Sequence, residues 1–203
     1  MLLTGSSVTG SSGGVTLQSA DARALGSSGT LSLVTGTTVG NVTGSVRLIT
    51  GPSPTHASGN VLVSTGSGRL NTGNITLITG TSASGAGGNL LLAAGDGRTV
   101  GGSIILRAGT AAGNGGTGGV QITSGVAQYG KGGPFTVSAG SSRYGDGGSV
   151  LLTSGASEHA GSGLITMRSA DSSGQGTSGN VLITTGTDRL SHNITLADRQ
   201  IRI

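Results

Sequence analysis

Apolar and polar residues alternate in short bursts along this chain, and the bursts return at a nearly constant interval. Each follows the pattern G-x-[V/I/L]-x-[L/I/V]-x-[S/T/A]-G. Its first glycine falls at Gly13, Gly29, Gly44, Gly59, Gly73, Gly88, Gly102, Gly118, Gly133, Gly148, Gly163 and Gly179. Successive glycines are 16, 15, 15, 14, 15, 14, 16, 15, 15, 15 and 16 residues apart. A copy without the glycine begins at His192, and a partial copy, Leu2-Leu3-Thr4-Gly5, opens the chain. Internal repetition of this kind outranks local propensity, because one unit cannot bury its apolar face alone.

With the motif glycine as position 0, positions 2 and 4 are apolar in every copy, from Val15/Leu17 through Val61/Val63 and Phe135/Val137 to Ile194/Leu196. Position 6 is small, as at Ser19, Thr35, Ala94 and Ser154. A period of two places these side chains on one face of a strand. Position 7 is Gly, or Ala at Ala20 and Ala170, which suits a turn. The remaining seven or so residues, such as Thr81-Ser82-Ala83-Ser84-Gly85-Ala86-Gly87, lead to the next motif.

Two layouts fit. In an antiparallel meander those residues are loops. In a parallel β-solenoid each unit is one coil, with Val stacked on Val and Leu on Leu. The continuous apolar ladders, and a Gly- and Ala-rich return wall that fits a thin coil, favour the solenoid. The expected fold is all-β, a parallel β-solenoid (β-helix) of 13–14 coils of ~15 residues, rising about 4.8 Å per coil into a rod about 65 Å long. Residues 1–191 form the repeat array and 192–203 a last strand with a cap or connector. Pro134 falls at position 1, a strand start that tolerates a missing N–H.

Composition sharpens this picture. Glycine accounts for 43 of 203 residues, with one Phe, two Tyr and no Trp, so an aromatic-rich core is excluded. Only 9% of the chain is charged, and β-branched residues are frequent and regularly placed, unlike a disordered chain. Glycine does not recur every third residue, which excludes collagen. The net charge of +4 comes from ten Arg and Lys131, spread along the repeats. A nucleic-acid site would cluster them among aromatics, so none is expected. With no Cys there is neither a disulfide nor a thiolate metal site. No apolar run reaches spanning length, so no membrane insertion is expected. The start, Met1-Leu2-Leu3-Thr4-Gly5, shows no signal peptide.

Catalytic patterns fare poorly. Gly125-Val126-Ala127-Gln128-Tyr129-Gly130-Lys131-Gly132 approaches a phosphate-binding loop, but Gly132 replaces the Ser or Thr that reaches Mg²⁺, and no helix follows. Gly113-Asn114-Gly115-Gly116-Thr117-Gly118 fits G-x-G-x-x-G as any Gly-rich chain does by chance. Calcium β-rolls need Asp in nearly every repeat, and the return-segment acids such as Asp96, Asp146, Asp171 and Asp188 fall well short of that. His56, His159 and His192 are too far apart for a metal triad. No paired carboxylates or nucleophile–base arrangement stand out, so no enzyme, cofactor or metal is expected. Sequons at Asn41, Asn74 and Asn193 matter only in a eukaryotic secretory context, and Asn at strand starts also reads as a turn ladder.

The outward positions 3 and 5 carry more aliphatics than a solvated face needs. Leu62, Ile78, Leu91, Ile105, Leu151 and Leu182 form the candidate packing face, because apolar stripes mark contact surfaces. The opening without a cap implies end-to-end stacking or continuation into another segment. The charged end, Asp198 to Ile203, reads as a cap or a stitch to a neighbour.

The phrases Gly59-Asn60-Val61-Leu62-Val63-Ser64-Thr65-Gly66 and Gly179-Asn180-Val181-Leu182-Ile183-Thr184-Thr185-Gly186 resemble the Gly/Ser/Thr-rich β-solenoid repeats of algal surface proteins and of large virus and phage fibres. A weaker resemblance is to plant ice-binding solenoids, whose flat Thr-x-Thr arrays have no counterpart here and are interrupted by Arg47, Arg107 and Arg168. The resemblance implies a non-enzymatic structural rod, a building block of an extracellular fibre, filament or virion surface. It would pack end to end and laterally with itself or with neighbouring structural proteins at a cell or virion surface. A phage or virus fibre would imply homotrimers. Ice binding and the stalk of an adhesin or receptor-binding tail fibre are the alternatives.

Overall fold

A computed structural model describes residues 2–23, 25–112 and 116–186. The chain divides into two units, Met1–Ile104 and Ile105–Ile203. Within each, the sequence repeat becomes a repeat of bends. The backbone turns sharply at 8–10, 39–41, 54–56, 69–70, 83–85 and 98–100 in the first unit. In the second it does so at 128–130, 143–145, 158–160 and 174–176. Each bend begins four or five residues before a motif glycine, so the variable interval is taken up in the Gly-rich stretch and the motif stays intact.

The bend has two recurring supports. The first is a serine six residues before the motif glycine, whose hydroxyl accepts the amide three residues further on. Ser7 accepts from Gly10 at 2.9 Å, Ser53 from His56 at 3.2 Å and Ser82 from Gly85 at 2.9 Å. Ser142 accepts from Gly145 at 2.9 Å and Ser157 from Ala160 at 3.0 Å. Short hydroxyl side chains favour turns because they satisfy a nearby amide that no ladder claims. The second support is a bond that closes the loop, from the motif glycine N–H to the position-7 glycine carbonyl. It joins Gly102 to Gly95 at 2.9 Å, Gly118 to Gly109 at 3.2 Å and Gly133 to Gly125 at 2.9 Å. Gly148 to Gly140 and Gly163 to Gly155 are both 2.8 Å.

Position 6 decides whether that bond forms. In the five loops just named it is Ala94, Ala108, Ser124, Ala139 or Ser154. Where it is Thr35, Thr50, Thr65 or Thr79, no closing bond is made. The threonine Cγ2 stands against the following glycine: a Cβ built on Gly44, Gly59, Gly73 or Gly88 would lie 3.5, 3.7, 3.4 or 3.7 Å from it. That methyl occupies the space through which the two backbones would meet. Thr4 is the exception, since its loop closes with Gly13 to Gly5 at 3.3 Å. The loops after Ala20 and Ala170 also lack the bond, and there position 7 is not glycine.

The two 14-residue units need one more device. A Cβ on Gly68 or Gly97 would fall 2.0 or 1.9 Å from the carbonyl oxygen of Asn71 or Val100. Only glycine fits where the turn is one residue tighter. Gly130, at φ 100°, sits in the left-handed region that glycine enters freely.

The expected parallel β-solenoid is not what the chain forms. Among the described residues there is neither strand nor helix, so there is no coil stack and no rod, and the β-solenoid and β-helix descriptions are withdrawn with it. Among the described residues every backbone–backbone bond spans a single loop, and none pairs the body of one motif with that of another. The seven-residue stretches are loops, as in the meander, yet the motifs they join are unpaired. No described side chain is buried, and Ile165, the least exposed large apolar one, is 49% exposed. The cause lies in composition. Two aliphatics per unit are a thin core, while each glycine gives up more backbone freedom on ordering than any other residue.

Two substitutions test the loop rule. Thr79→Ala removes the methyl and should let the Gly88 amide bond to Gly80, slowing its hydrogen exchange about fivefold, the worth of one ordinary hydrogen bond. Ala94→Thr should do the reverse at Gly102. Unchanged exchange at both amides would refute the steric rule. Separately, Gly97→Ala should abolish the Gly102–Gly95 bond, visible as the loss of Gly102 amide protection, whereas Gly51→Ala, with nothing within 4 Å, should leave its loop untouched.

Candidate packing face

The motif positions keep a trace of the alternation that the sequence shows. In Val61-Leu62-Val63 the exposures are 52, 85 and 63%, and in Val150-Leu151-Leu152 they are 56, 85 and 68%. Positions 2 and 4 are thus less exposed than position 3. The alternation fixes two sides of each motif without burying either.

Leu62, Ile78, Leu91, Ile105, Leu151 and Leu182, the residues expected to form a packing face, are all strongly exposed. The structure places each on its own motif and brings no two of them into a common pocket. Position 6 is where shading is greatest: Ser19, Thr35, Ala108, Ser124, Ser154 and Ser169 are half-buried. Among the described residues, no backbone group of positions 1 to 5 bonds to another backbone group. Pro134 is held differently, its carbonyl accepting the Ser124 hydroxyl at 3.2 Å. Each motif therefore offers a short apolar segment with free amides and carbonyls.

The residues screened for chemistry remain scattered. No three His, Asp or Glu side chains come together among the described residues. His56 Nδ1 lies 2.9 Å from the Thr55 hydroxyl, and His159 Nε2 lies 4.0 Å from Glu158 with both side chains exposed. Gly125–Gly132, the phosphate-loop lookalike, is an ordinary repeat loop closed by the Gly133 amide, and Gly130 rather than a helix start follows Tyr129. The Arg143 guanidinium sits 5.3 Å from the centre of the Tyr144 ring, a local cation–π contact on an exposed bend. Asn41 Oδ1 accepts the Val42 amide at 2.8 Å, so the first sequon is itself a turn. No helix among the described residues is long and apolar enough to cross a membrane. His192, Asn193, Asp188, the thirteenth copy, the 192–203 cap or connector and the G-x-G-x-x-G residues 113–115 lie outside the described residues.

What sequence reading missed are the working parts of the loops: the serine at six residues before the motif glycine, the threonine wedge, and Gly68 and Gly97. The serine was open to discovery, since it recurs at that fixed offset in seven units, and in five of them its hydroxyl accepts the amide. The wedge was not, because Thr, Ser and Ala all read simply as small. No protein-family model, curated protein or solved structure matches this chain.

A chain with no buried side chain has little apolar surface left to expose. Scanning calorimetry of a dilute sample should show no cooperative transition and a heat-capacity step near zero. A compact domain of 203 residues would give about 2.5–3 kcal/mol/K. A step of that size would overturn the coreless description.

Proposed function

We propose that this chain is a non-enzymatic structural segment, a building block of a fibre, filament or surface layer at a cell or virion exterior. It works by end-to-end and lateral packing against copies of itself or neighbouring structural proteins. The observation that carries this reading is the apolar segment in each repeat, which is left exposed among the described residues. Isolated surface aliphatics are commonplace, but a stripe renewed at every repeat is a contact surface. The chemistry of the sequence supports the same view. Gly, Ser, Thr and Ala dominate, and apart from the adjacent Glu158 and His159 the few acids and histidines are spread out in sequence. The exterior setting rests on the resemblance to surface and fibre repeats.

The test is Leu91→Asp and Leu151→Asp, each at an exposed position 3. Each should raise the concentration at which the chain assembles, by about tenfold or more, because burying a leucine contributes roughly 1.5–3 kcal/mol at a contact. Sedimentation velocity over a concentration series reads this directly. Assembly at an unchanged threshold would make the stripe incidental. A wild-type chain that stays monomeric at high concentration would sink the structural reading altogether.

A further inference from the structure

We infer that the bends of the second unit bind a neutral, hydroxyl-rich polysaccharide. The central residue of each three-residue bend carries the argument. In the first unit it is small: Thr9, Gly40, Thr55, Ser84 or Thr99. In the second it is Tyr129, Tyr144, His159 or Gln175, each with a planar π group. Both tyrosines of the chain fall at this one position. Tyr129 and Tyr144 are 88 and 90% exposed, and His159 and Gln175 are exposed as well. Aromatic rings ordinarily supply core area, yet here they are set out in solvent.

The loops that carry Tyr129, Tyr144 and His159 are closed ones. They are fastened at their ends by the Gly133–Gly125, Gly148–Gly140 and Gly163–Gly155 bonds. Ser142 and Ser157 also hold the amides of Gly145 and Ala160, which directly follow Tyr144 and His159. Each ring therefore sits at the centre of a bend whose loop is already closed, which lowers the ordering cost a ligand must meet. The three bends recur 15 residues apart. Each alone is a weak site, whereas a polymer that reaches two of them gains through effective concentration.

Chemistry selects the partner. A sugar ring has a C–H face that stacks on a π surface and a rim of hydroxyls that needs donors and acceptors. Tyr and His meet the first need, with a polar handle at the ring edge. Charged neighbours meet the second. The Arg143 guanidinium lies 5.3 Å from the centre of the Tyr144 ring, over one face, and leaves the other face for a ligand. Glu158 stands 4.0 Å from His159 Nε2. Single-stranded nucleic acid also stacks on aromatics, but it needs a positively charged track. The three closed loops carry Lys131 and Arg143 against Asp146 and Glu158, a balance that favours no polyanion. A neutral chain of sugar rings fits both the π groups and the charge. None of these residues belongs to the apolar motifs, so this site goes beyond the assembly reading and does not depend on it.

With no Trp and only two Tyr, tyrosine emission reports on these bends alone. The full-length chain is titrated with hydroxyethylcellulose, laminarin, dextran and galactomannan, and its retardation is measured in native gels containing each. At least one polymer should change tyrosine emission saturably and retard the chain. It should bind on the order of a hundredfold more tightly than the matching disaccharide, and binding should persist in high salt. Tyr129→Ala and Tyr144→Ala should each weaken retardation about fivefold. Tyr144→Phe should retain it, and Thr99→Ala, at a small bend centre of the first unit, should leave it unchanged. Retardation by none of the four polymers overturns the proposal. So does tighter binding of poly(dT) or heparin than of every neutral polymer, and so does binding that both alanine variants leave undiminished. Sedimentation of the same samples reads assembly separately, so the failure of either reading is seen without the other.

Discussion

The contact between the position-6 side chain and the motif glycine that follows it governs the local form of this chain. It sits where each loop begins and ends, at the one place where two backbone strands of the loop come close. Ala or Ser there lets the glycine amide reach the carbonyl of position 7, whereas Thr35, Thr50, Thr65 and Thr79 leave the bond unmade. Because the motif glycine has no side chain, the approach is limited only by its neighbour. The serine bond inside the bend and the tight turns at Gly68 and Gly97 shape the rest of the loop around that junction.

Local closure and the missing core belong together. A bond that spans one loop gathers residues already near in sequence, so little closure entropy opposes it. Linking motif to motif would need the whole repeat ordered, with two modest aliphatics as its main reward. Glycine-rich stretches make that ordering more costly than usual. The result is a chain organised at the scale of eight residues and not at the scale of the whole unit. Its apolar segments are regular in position and unsatisfied in packing, which is the state that favours association between molecules.

The repeat itself was fully legible, as were the places where the backbone turns: the interval from Gly44 to Gly59 to Gly73 reappears in the bends at 39–41, 54–56 and 69–70. The period of two in Val61-Leu62-Val63 was legible as well, and it survives as alternating exposure. What it could not specify was the partner. Alternation says that a segment has two sides, and it is silent on whether the side is covered by the next repeat or by another molecule. The solenoid was inferred by supplying the nearest partner, and the chain does not use it. The exposure of Leu91 and Leu151 was readable from their positions, while the effect of Thr79 against Ala94 at the loop junction needed coordinates.

A unit whose closing bond begins and ends within its own loop is complete in itself. Removing or duplicating a whole repeat, for example Gly133 to Gly147, leaves the bonds of every remaining loop as they were. Few folded domains tolerate such an edit, because their cores are shared between distant segments. Here length is a free variable, because whole units can be added or removed without disturbing the closing bonds of those that remain.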